Sequence, residues 1–356
     1  MELVLPYYLF LSLASFLFSL RKDGQSKGKM LSVALTLILM VLFAGLRNES
    51  VGTDTMAYVR AFALSHTSIL DGDAYEMLKS EPGYFLVQKI AGLFSTNYCA
   101  LLCTTAVICY SLVLKTILKY SDNRVLSLFI YITLGYYTFC FNAARQALAL
   151  SIYLLAIPCI MNRQFMKYAI IVCIAALFHK SVLIALPLYF LFRLRFSLKS
   201  VILVIIAGCI TAAYLPMLLE SAKEIDDRYR LYADVKAVGG YMLTTFYVLL
   251  SIFCIYMRSN VLRKDLHQYD IFLQMLVCGS VIYLVVSLTG SYVELTRFAA
   301  YFQIATIFLF AKLYKSADRE NWSIVLPIFV CGCLAFFFIF LTTMAALVPY
   351  KLNTTL

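Results

Sequence analysis

The sequence predicts an all-α protein, a bundle that crosses a membrane about twelve times as a single domain over residues 1–356. Two observations predict this fold class. The chain is 63% hydrophobic with a mean hydropathy of +0.86, which is more apolar surface than a soluble core of this length buries. Its apolar runs are nearly continuous between short charged breaks, whereas the strands of a membrane barrel alternate apolar and polar residues.

The first apolar run, residues 3–20, is predicted to be a retained transmembrane helix. No basic region precedes this run and no small-residue cleavage site follows it, so the features of a signal peptide are missing. The 11 cysteines lie almost entirely inside apolar runs, where they behave as small hydrophobic residues. The sequence therefore predicts neither a disulfide framework nor a metal site.

The placement of basic residues predicts the orientation of the chain. Every second break is rich in lysine and arginine, which is typical of cytoplasmic loops. The two longest breaks, residues 47–84 and 216–240, are acidic on balance and are predicted to be extracytoplasmic loops, which would be periplasmic in a bacterial inner membrane. The net charge of +11 is accounted for by this topology, so nucleic acid is not expected as a partner.

Two segments do not fit a simple crossing. Residues 83–95 reach only about 20 Å as a helix and are predicted to form a re-entrant or interfacial helix. Residues 168–192 carry His179 and Lys180 at their centre and have basic breaks on both sides. One long span would place those breaks on opposite sides of the membrane. We favour two short helices that meet at a recessed polar tip, because the later loops then keep their orientation.

Arg145 interrupts residues 125–160, an apolar stretch far too long for one span. One interpretation is a loop arginine between two helices, but a charge at the edge of a membrane more often marks a functional site. Asn142, Arg145 and Gln146 follow at i, i+3 and i+4, a spacing that predicts one shared helical face. A guanidinium between two carboxamides suits a phosphate or a sugar.

Four other residues have two interpretations each. His179 at the polar tip is either structural or a catalytic base. Asp54 and Glu81 lie in turn-forming sequence, where each is either a turn or cap residue or a catalytic carboxylate. Arg297 follows Glu294 by three residues, so it either forms a local ion pair or binds a ligand.

The polar segments occur in an order that is itself informative. They are RNESVGTDTMAY at residues 47–58, EPGY at 81–84, NAARQ at 142–146 and FHKS at 178–181, followed later by Arg297, Phe298 and Tyr301. This ordered set, which spans about the first 300 residues, resembles the EpsG family of Wzy-type polysaccharide polymerases.

The resemblance implies a glycosyltransferase of the GT-C type in the bacterial inner membrane. Such a protein polymerises repeat units carried on undecaprenyl diphosphate into O-antigen or a related surface polysaccharide, at the periplasmic face. No cofactor is expected. Its partners would be the lipid-linked glycan donor and acceptor, membrane lipid and a chain-length regulator. The implied catalytic residues are His179, Asp54 and Glu81, and the implied substrate-binding and diphosphate-binding residues are Arg47, Arg145, Gln146, Asn142, Lys180, Arg297, Tyr58 and Tyr301.

Two other functions stay open at this point. A flippase for lipid-linked sugars would need interrupted helices near the midplane and access from both sides. A membrane O-acyltransferase would also use a membrane histidine, but it would need a route for the acyl donor. The predicted gathering of polar motifs on one side favours the polymerase.

Overall fold

The fold is given by a computed structural model that describes residues 3–20, 26–67, 80–223, 241–289, 294–316, 319–344 and 346–353. Regular structure in these ranges is helical, and the only β-type pairing is a single isolated bridge between Arg47 and Leu352. The predicted all-α class is confirmed. Near-continuous apolar runs favour helices because a helix satisfies its backbone hydrogen bonds within one segment.

Five described helical stretches are long and apolar enough to span a membrane: Tyr98–Tyr120, Ala144–Met161, Tyr241–Asn260, Leu266–Leu288 and Trp322–Thr343. Six shorter apolar helices accompany them: Leu5–Ser19, Met30–Gly45, Arg124–Thr133, Phe165–Ala176, Lys180–Phe192 and Leu198–Ile210. The chain is thus a helical membrane protein, and the predicted count of about twelve crossings is not confirmed. Many apolar segments are interrupted by turns, and a charge-based count of breaks does not detect those interruptions.

Contacts group the described chain into two compact units, where the sequence predicted one domain. The first unit comprises residues 1–159, 166–183 and 319–356, and the second comprises residues 160–165 and 184–318. The helices of the first unit are α1 Leu5–Ser19, α2 Ser26–Gly45, α3 Thr55–Thr67, α4 Pro82–Phe94, α5 Tyr98–Tyr120, α6 Arg124–Thr133, α7 Phe139–Asn142, α8 Ala144–Tyr153, most of α9 Ile157–Met161 and α10 Phe165–Ala176, and α17 Arg319–Thr343.

An aromatic core holds the first unit together. The ring of Tyr137 stacks on Phe10 at 4.5 Å and on Tyr110 at 4.7 Å, and Phe43 stacks on Tyr350 at 4.2 Å. Helix α2 packs along α5, and α1 packs on α2. These rings bury large apolar areas and prefer offset-stacked geometry, so they fix the helices that surround the polar motifs.

The second unit is built around the helix Leu266–Thr289. Its helices are a 3₁₀ turn at Lys180–Ile184 shared with the first unit, α11 Ala185–Phe192, α12 Leu198–Lys223, α13 Tyr241–Met257, α14 Leu266–Thr289, α15 Glu294–Gln303 and α16 Thr306–Ser316. Arg258 pairs with Asp270 at 2.6 Å, and Lys312 pairs with Asp265 at 3.2 Å. Both basic partners come from breaks that the sequence predicts to be cytoplasmic.

One predicted loop is partly helical. Helix α12 continues to Lys223, so residues 216–223 are helix where the sequence predicted the start of a loop. Residues 224–240 lie outside the described residues. In the other predicted loop, Thr55–Thr67 is helical and residues 68–79 lie outside the described residues. The charge pattern locates a break in hydrophobicity, but a polar sequence can continue a helix.

The predicted helical hairpin around residue 179 is confirmed. Helix α10 ends at Ala176, and the chain resumes with the 3₁₀ turn that begins at Lys180. The ring of Phe165, where α10 begins, lies 5.1 Å from the rings of both Tyr189 and Phe190. In one straight helix these positions would be about 36 Å apart, so the chain folds back on itself.

Candidate active site

Three functional side chains lie at helix ends. Pro82 occupies the first turn of α4, and Glu81 is therefore the N-cap residue. Proline is well suited to a helix start, because its fixed φ matches the helix and the N–H that it lacks would have no partner within the helix. Ala143 has a non-helical backbone conformation and separates α7 from α8, so Arg145 lies in the first turn of α8. His179 lies in the gap that follows α10. Helix ends leave backbone groups unpaired, so these positions are also the polar points of otherwise apolar segments.

The geometry of the cluster is centred on one carboxylate. Glu81 Oε2 accepts from Arg145 Nη1 at 2.5 Å, and Glu81 Oε1 lies 2.7 Å from His179 Nδ1. The Glu81 side chain is 6% exposed, whereas those of Arg145 and His179 are 31% and 32% exposed. The cluster is therefore closed on the glutamate side and open on the side of the arginine and the histidine. It joins three of the four predicted motifs.

Glu81 is ionised in the folded protein. Burial by itself raises the pKa of this carboxyl, but the hydrogen bond with His179 and the charge of Arg145 outweigh burial and lower it. A carboxylate only accepts hydrogen bonds, so His179 Nδ1 must carry the proton that points to Glu81. In the neutral ring Nε2 is then the basic nitrogen.

Two tyrosines flank the guanidinium of Arg145. Its central carbon lies 5.8 Å from the ring of Tyr58 and 6.0 Å from the ring of Tyr84, and the two rings meet edge to face at 5.7 Å. Tyr58, a predicted site residue, is thus part of the cluster. Such contacts stabilise a cation over an aromatic face.

Sequence reasoning did not assign a role to Tyr84 or to Gln88 one turn later. Both are buried, and neither the Tyr84 hydroxyl nor either polar atom of the Gln88 amide has a hydrogen-bond partner in the described structure. The i, i+4 spacing from the EPGY motif was the available signal, since it places Gln88 on the same face of α4 as Tyr84.

Gly83 allows two motifs to touch. Its N–H donates to the carbonyl of Leu177 at 2.9 Å. A Cβ atom on Gly83 would lie 2.9 Å from the ring of Phe178, closer than real Cβ contacts. The absence of a side chain at residue 83 therefore lets the EPGY motif approach the FHKS motif closely enough for Glu81 to reach His179.

Arg47 occupies a different, buried environment. The residue is 1% exposed, and its guanidinium donates to the carbonyl of Ala44 and to Thr55 Oγ1 at 3.4 Å. It also lies 4.1 Å above the ring of Phe141. Within the described chain no carboxylate pairs with it. These contacts favour a structural part for Arg47, and its predicted binding of diphosphate stays a prediction.

The predicted face of Asn142, Arg145 and Gln146 is wrong. Asn142 is the last residue of α7, and Ala143 has φ −149° and ψ 58°, so no continuous helix joins it to Arg145. The Asn142 side chain instead accepts from the N–H of Thr53 at 2.8 Å, which links the first motif to the third. Gln146 lies on α8 and is buried.

The other predicted residues are placed as follows. Asp54 is half-buried directly before α3, and its carbonyl accepts from the N–H of Tyr58 at 3.1 Å. Lys180 is exposed at the start of the 3₁₀ turn. Arg297 is half-buried and Tyr301 is fully buried, both on α15 of the second unit. The alternative ion pair with Glu294 lies outside the described side chains.

Among the described residues, no group of three or more histidine, cysteine, aspartate or glutamate side chains is arranged to hold a metal ion. The chemistry of the cluster is that of an ionised carboxylate, an arginine and a histidine. Such a set can transfer a proton and bind an anion.

The fold and the cluster define a helical membrane protein in which a glutamate, an arginine and a histidine meet at interrupted helices. A model of the EpsG family matches residues 30–352, which include every motif discussed above. The chain belongs to the EpsG family, a family of Wzy-type polysaccharide polymerase-like membrane proteins. The resemblance seen in the sequence is confirmed. Comparisons with curated proteins and with solved structures gave no match.

Proposed function

We propose that this protein is a membrane glycosyltransferase of the bacterial inner membrane. It polymerises repeat units carried on undecaprenyl diphosphate into O-antigen or a related surface polysaccharide, with an active site that faces the periplasm. Membership of the EpsG family supports the general class. The observation that carries the mechanism is the carboxylate of Glu81 held between Arg145 and His179.

His179 is the proposed base. Its Nε2 takes the proton from the acceptor sugar hydroxyl while that oxygen attacks the anomeric carbon of the donor. Glu81 orients the ring of His179 through Nδ1 and stabilises the imidazolium that forms. A buried carboxylate has the same role beside the catalytic histidine of serine hydrolases. The proton thus moves from the acceptor hydroxyl to His179 as the glycosidic bond forms.

Arg145 is the proposed ligand of the leaving group. The bond between the anomeric carbon and the diphosphate oxygen breaks, and its electron pair leaves with the lipid diphosphate. A guanidinium has five N–H donors, and the Arg145 side chain is hydrogen-bonded to Glu81 and to Tyr58. Because 31% of the side chain is exposed, a phosphate can reach the guanidinium, whose planar shape suits bidentate contact with phosphate oxygens.

The charges of the cluster change in the direction that the reaction needs. Before reaction the ionised glutamate, the arginine and a neutral histidine sum to zero. After His179 accepts the proton the sum is +1, while negative charge develops on the departing diphosphate. Fixed groups that favour the charge distribution of the transition state are a main source of catalysis.

The remaining predicted residues keep proposed binding parts. Asp54 and Tyr58 are assigned to sugar hydroxyls and Lys180 to a phosphate oxygen. The substrate-binding roles predicted for Arg297 and Tyr301, which lie on α15 of the second unit, stay predictions. Asn142 and Gln146 keep their predicted substrate-binding roles as proposals, and both residues are buried beside the α7–α8 junction.

The direct test is reconstitution of the purified protein in liposomes with a lipid-linked repeat unit. We expect a ladder of products by gel electrophoresis. His179→Ala should lower the rate of elongation by roughly 10²–10⁴-fold without loss of donor binding. His267→Ala is the matched control, because His267 is exposed on α14, in the other unit. Equal loss in both variants would remove His179 from the mechanism.

A cellular test separates the polymerase from a flippase. Cells with the His179→Ala variant should display surface glycan one repeat unit long, because single units still reach the final acceptor. Complete absence of surface glycan, with the donor trapped on the cytoplasmic side, would favour transport instead.

A further inference from the structure

The segment 346–353, called the strap here, lies along the first motif. The N–H of Asn48 donates to the carbonyl of Lys351 at 2.8 Å, and the N–H of Asn353 donates to the carbonyl of Leu46 at 2.8 Å. These two bonds enclose the bridge between Arg47 and Leu352. The strap therefore pairs with residues 46–48 as a short antiparallel ladder.

Hydrogen bonds with three helices anchor the strap. Tyr7 of α1 donates to the carbonyl of Leu347 at 2.6 Å, and the strap residue Tyr350 donates to the carbonyl of Phe43 of α2 at 2.7 Å. Asn353 also donates through Nδ2 to the sulfur of Cys99 on α5 at 3.1 Å. Leu347 is fully buried. The strap is thus a packed part of the first unit.

A further bond connects the strap to the turn that follows Arg47. The N–H of Gly52 donates to the carbonyl of Ala346 at 2.9 Å. Gly52 has φ +100°, a conformation that other residues rarely adopt, and a Cβ atom there would lie 2.7 Å from the carbonyl oxygen of Phe141. The turn is therefore held between the strap on one side and α7 on the other.

From this turn the contacts lead to the cluster. The N–H of Thr53 donates to Asn142 Oδ1 at 2.8 Å, and Thr55 Oγ1 donates to the carbonyl of Phe141 at 3.0 Å. Asn142 ends α7, and Arg145 follows in the first turn of α8. The position of the α7–α8 junction, and with it that of Arg145, depends on residues 51–55.

We propose that the strap is a positioning element of the active site. It holds residues 46–55 in the place where they support the α7–α8 junction, and the junction aims Arg145 at Glu81. The strap acts through these residues rather than on the substrate. The catalytic part of this proposal rests on the proposed function, whereas the mechanical part does not.

The test compares two shortened chains. One ends after Met344 and lacks the strap, and the matched control ends after Asn353 and keeps it. Hydrogen exchange by mass spectrometry reports local opening of backbone hydrogen bonds. We expect faster exchange in residues 46–55 and 138–146 of the first chain, unchanged exchange in residues 266–289, and full-length behaviour throughout the control. Elongation should fall in the first chain alone.

A point variant covers the case in which the first chain does not fold. Asn353→Pro removes the N–H that bonds to Leu46 while leaving Leu352 in an extended conformation that proline favours. A displacement of about 1 Å in an active site can lower the reaction rate by about 10²-fold. We therefore expect kcat to fall by about 10-fold to 100-fold, with little change in KM for the donor. Leu352→Ala, at a side chain that is 59% exposed, should keep full activity.

The outcomes separate the two proposals. Unchanged exchange in residues 46–55 of the folded variants would overturn the strap proposal, whatever the activity. Faster exchange with full kcat would overturn its catalytic part. A loss of activity that appears in KM rather than kcat would also contradict positioning. If the full-length protein makes no polymer, the proposed function fails, and the exchange data still decide whether the strap holds the first motif.

Discussion

Two arginines in the first unit have opposite surroundings. Arg145 pairs with Glu81 and keeps 31% of its side chain exposed. Arg47 is 1% exposed, and its contacts are a backbone carbonyl, a hydroxyl and an aromatic ring. The family resemblance implied substrate or diphosphate binding for both.

The difference shows what an arginine needs in order to serve as a ligand rather than as a support. Arg145 keeps 31% of its side chain exposed, so an incoming anion can reach its guanidinium. Arg47 donates to the last turn of α2, where carbonyls without a partner in the helix favour a cation. The Nε–H of Arg47 has no partner in the described structure, which is a cost that surrounding contacts must offset.

The sharpest test of this comparison is the replacement of Arg145. Arg145→Ala should lower elongation by roughly 10²–10³-fold while the protein still inserts and folds, because a donor to developing charge is lost. Arg145→Lys should also elongate slowly, because a lysine ammonium cannot make the bidentate contacts of a planar guanidinium. Rates in liposomes measure both. Arg60→Ala, at an exposed arginine on α3, is the control, and full activity of Arg145→Ala would exclude the proposed contact.

Arg47→Met should act on stability instead. The variant loses the hydrogen bonds that Arg47 donates to the Ala44 carbonyl and to Thr55 Oγ1. The loss of these two charged hydrogen bonds should lower the free energy of unfolding by about 3 kcal/mol. Thermal unfolding in detergent measures this loss. Affinity for a diphosphate lipid, measured on the folded fraction, should not change. A stable variant that has lost this affinity would show that Arg47 is a ligand, as the sequence predicted.

Gly83→Ala should weaken the contact between the second and fourth motifs. The new methyl group would press on Phe178 and on the carbonyl of Leu177, at about 1–3 kcal/mol for overpacking. We expect a lower melting temperature together with slower elongation. Gly332→Ala on α17 is the matched control, because nothing lies within 4 Å of its added Cβ. A Gly83→Ala protein that is as stable and active as this control would contradict the docking of the two motifs.

The smallest expected effect is on the acid side of the stability curve. Because the pKa of Glu81 is lowered in the folded protein, its contribution is complete above the usual glutamate pKa of about 4.3 and is lost as the pH falls through the lowered value. The melting temperature should therefore fall on acidification in this range. Glu81→Gln should show a weaker fall than the unmodified protein. An identical acid dependence in the two proteins would contradict the ionised cluster.

Much of the site was predictable because its motifs are local. Pro82 after Glu81 predicts a helix start, and the His179-Lys180 pair inside an apolar segment predicts a break, so two members of the cluster were placed at helix ends. That Glu81 contacts both Arg145 and His179 is a tertiary fact. It depends on Gly83 packing against Leu177, which lies far away in sequence.

The errors have physical causes as well. Asn142 was placed on a face with Arg145 because an uninterrupted helix was assumed, and the spacing does not reveal the non-helical backbone of Ala143. The burial of Arg47 depends on residues about 300 positions later in the chain. No local pattern in residues 47–58 carries that information.

The long reach of the strap has a consequence for biosynthesis. Tyr7 and Leu347 are 340 residues apart, and Phe43 and Tyr350 are 307 apart, so these contacts close only when nearly all of this sequence has been made. At about 5–20 residues per second, a ribosome needs roughly 15–60 s to pass from the first motif to the strap. During that time the nascent chain contains the polar motifs but lacks the strap that positions them. A translation product that stops before residue 346 would hold every proposed reactive side chain in the membrane and still be expected to make little polymer.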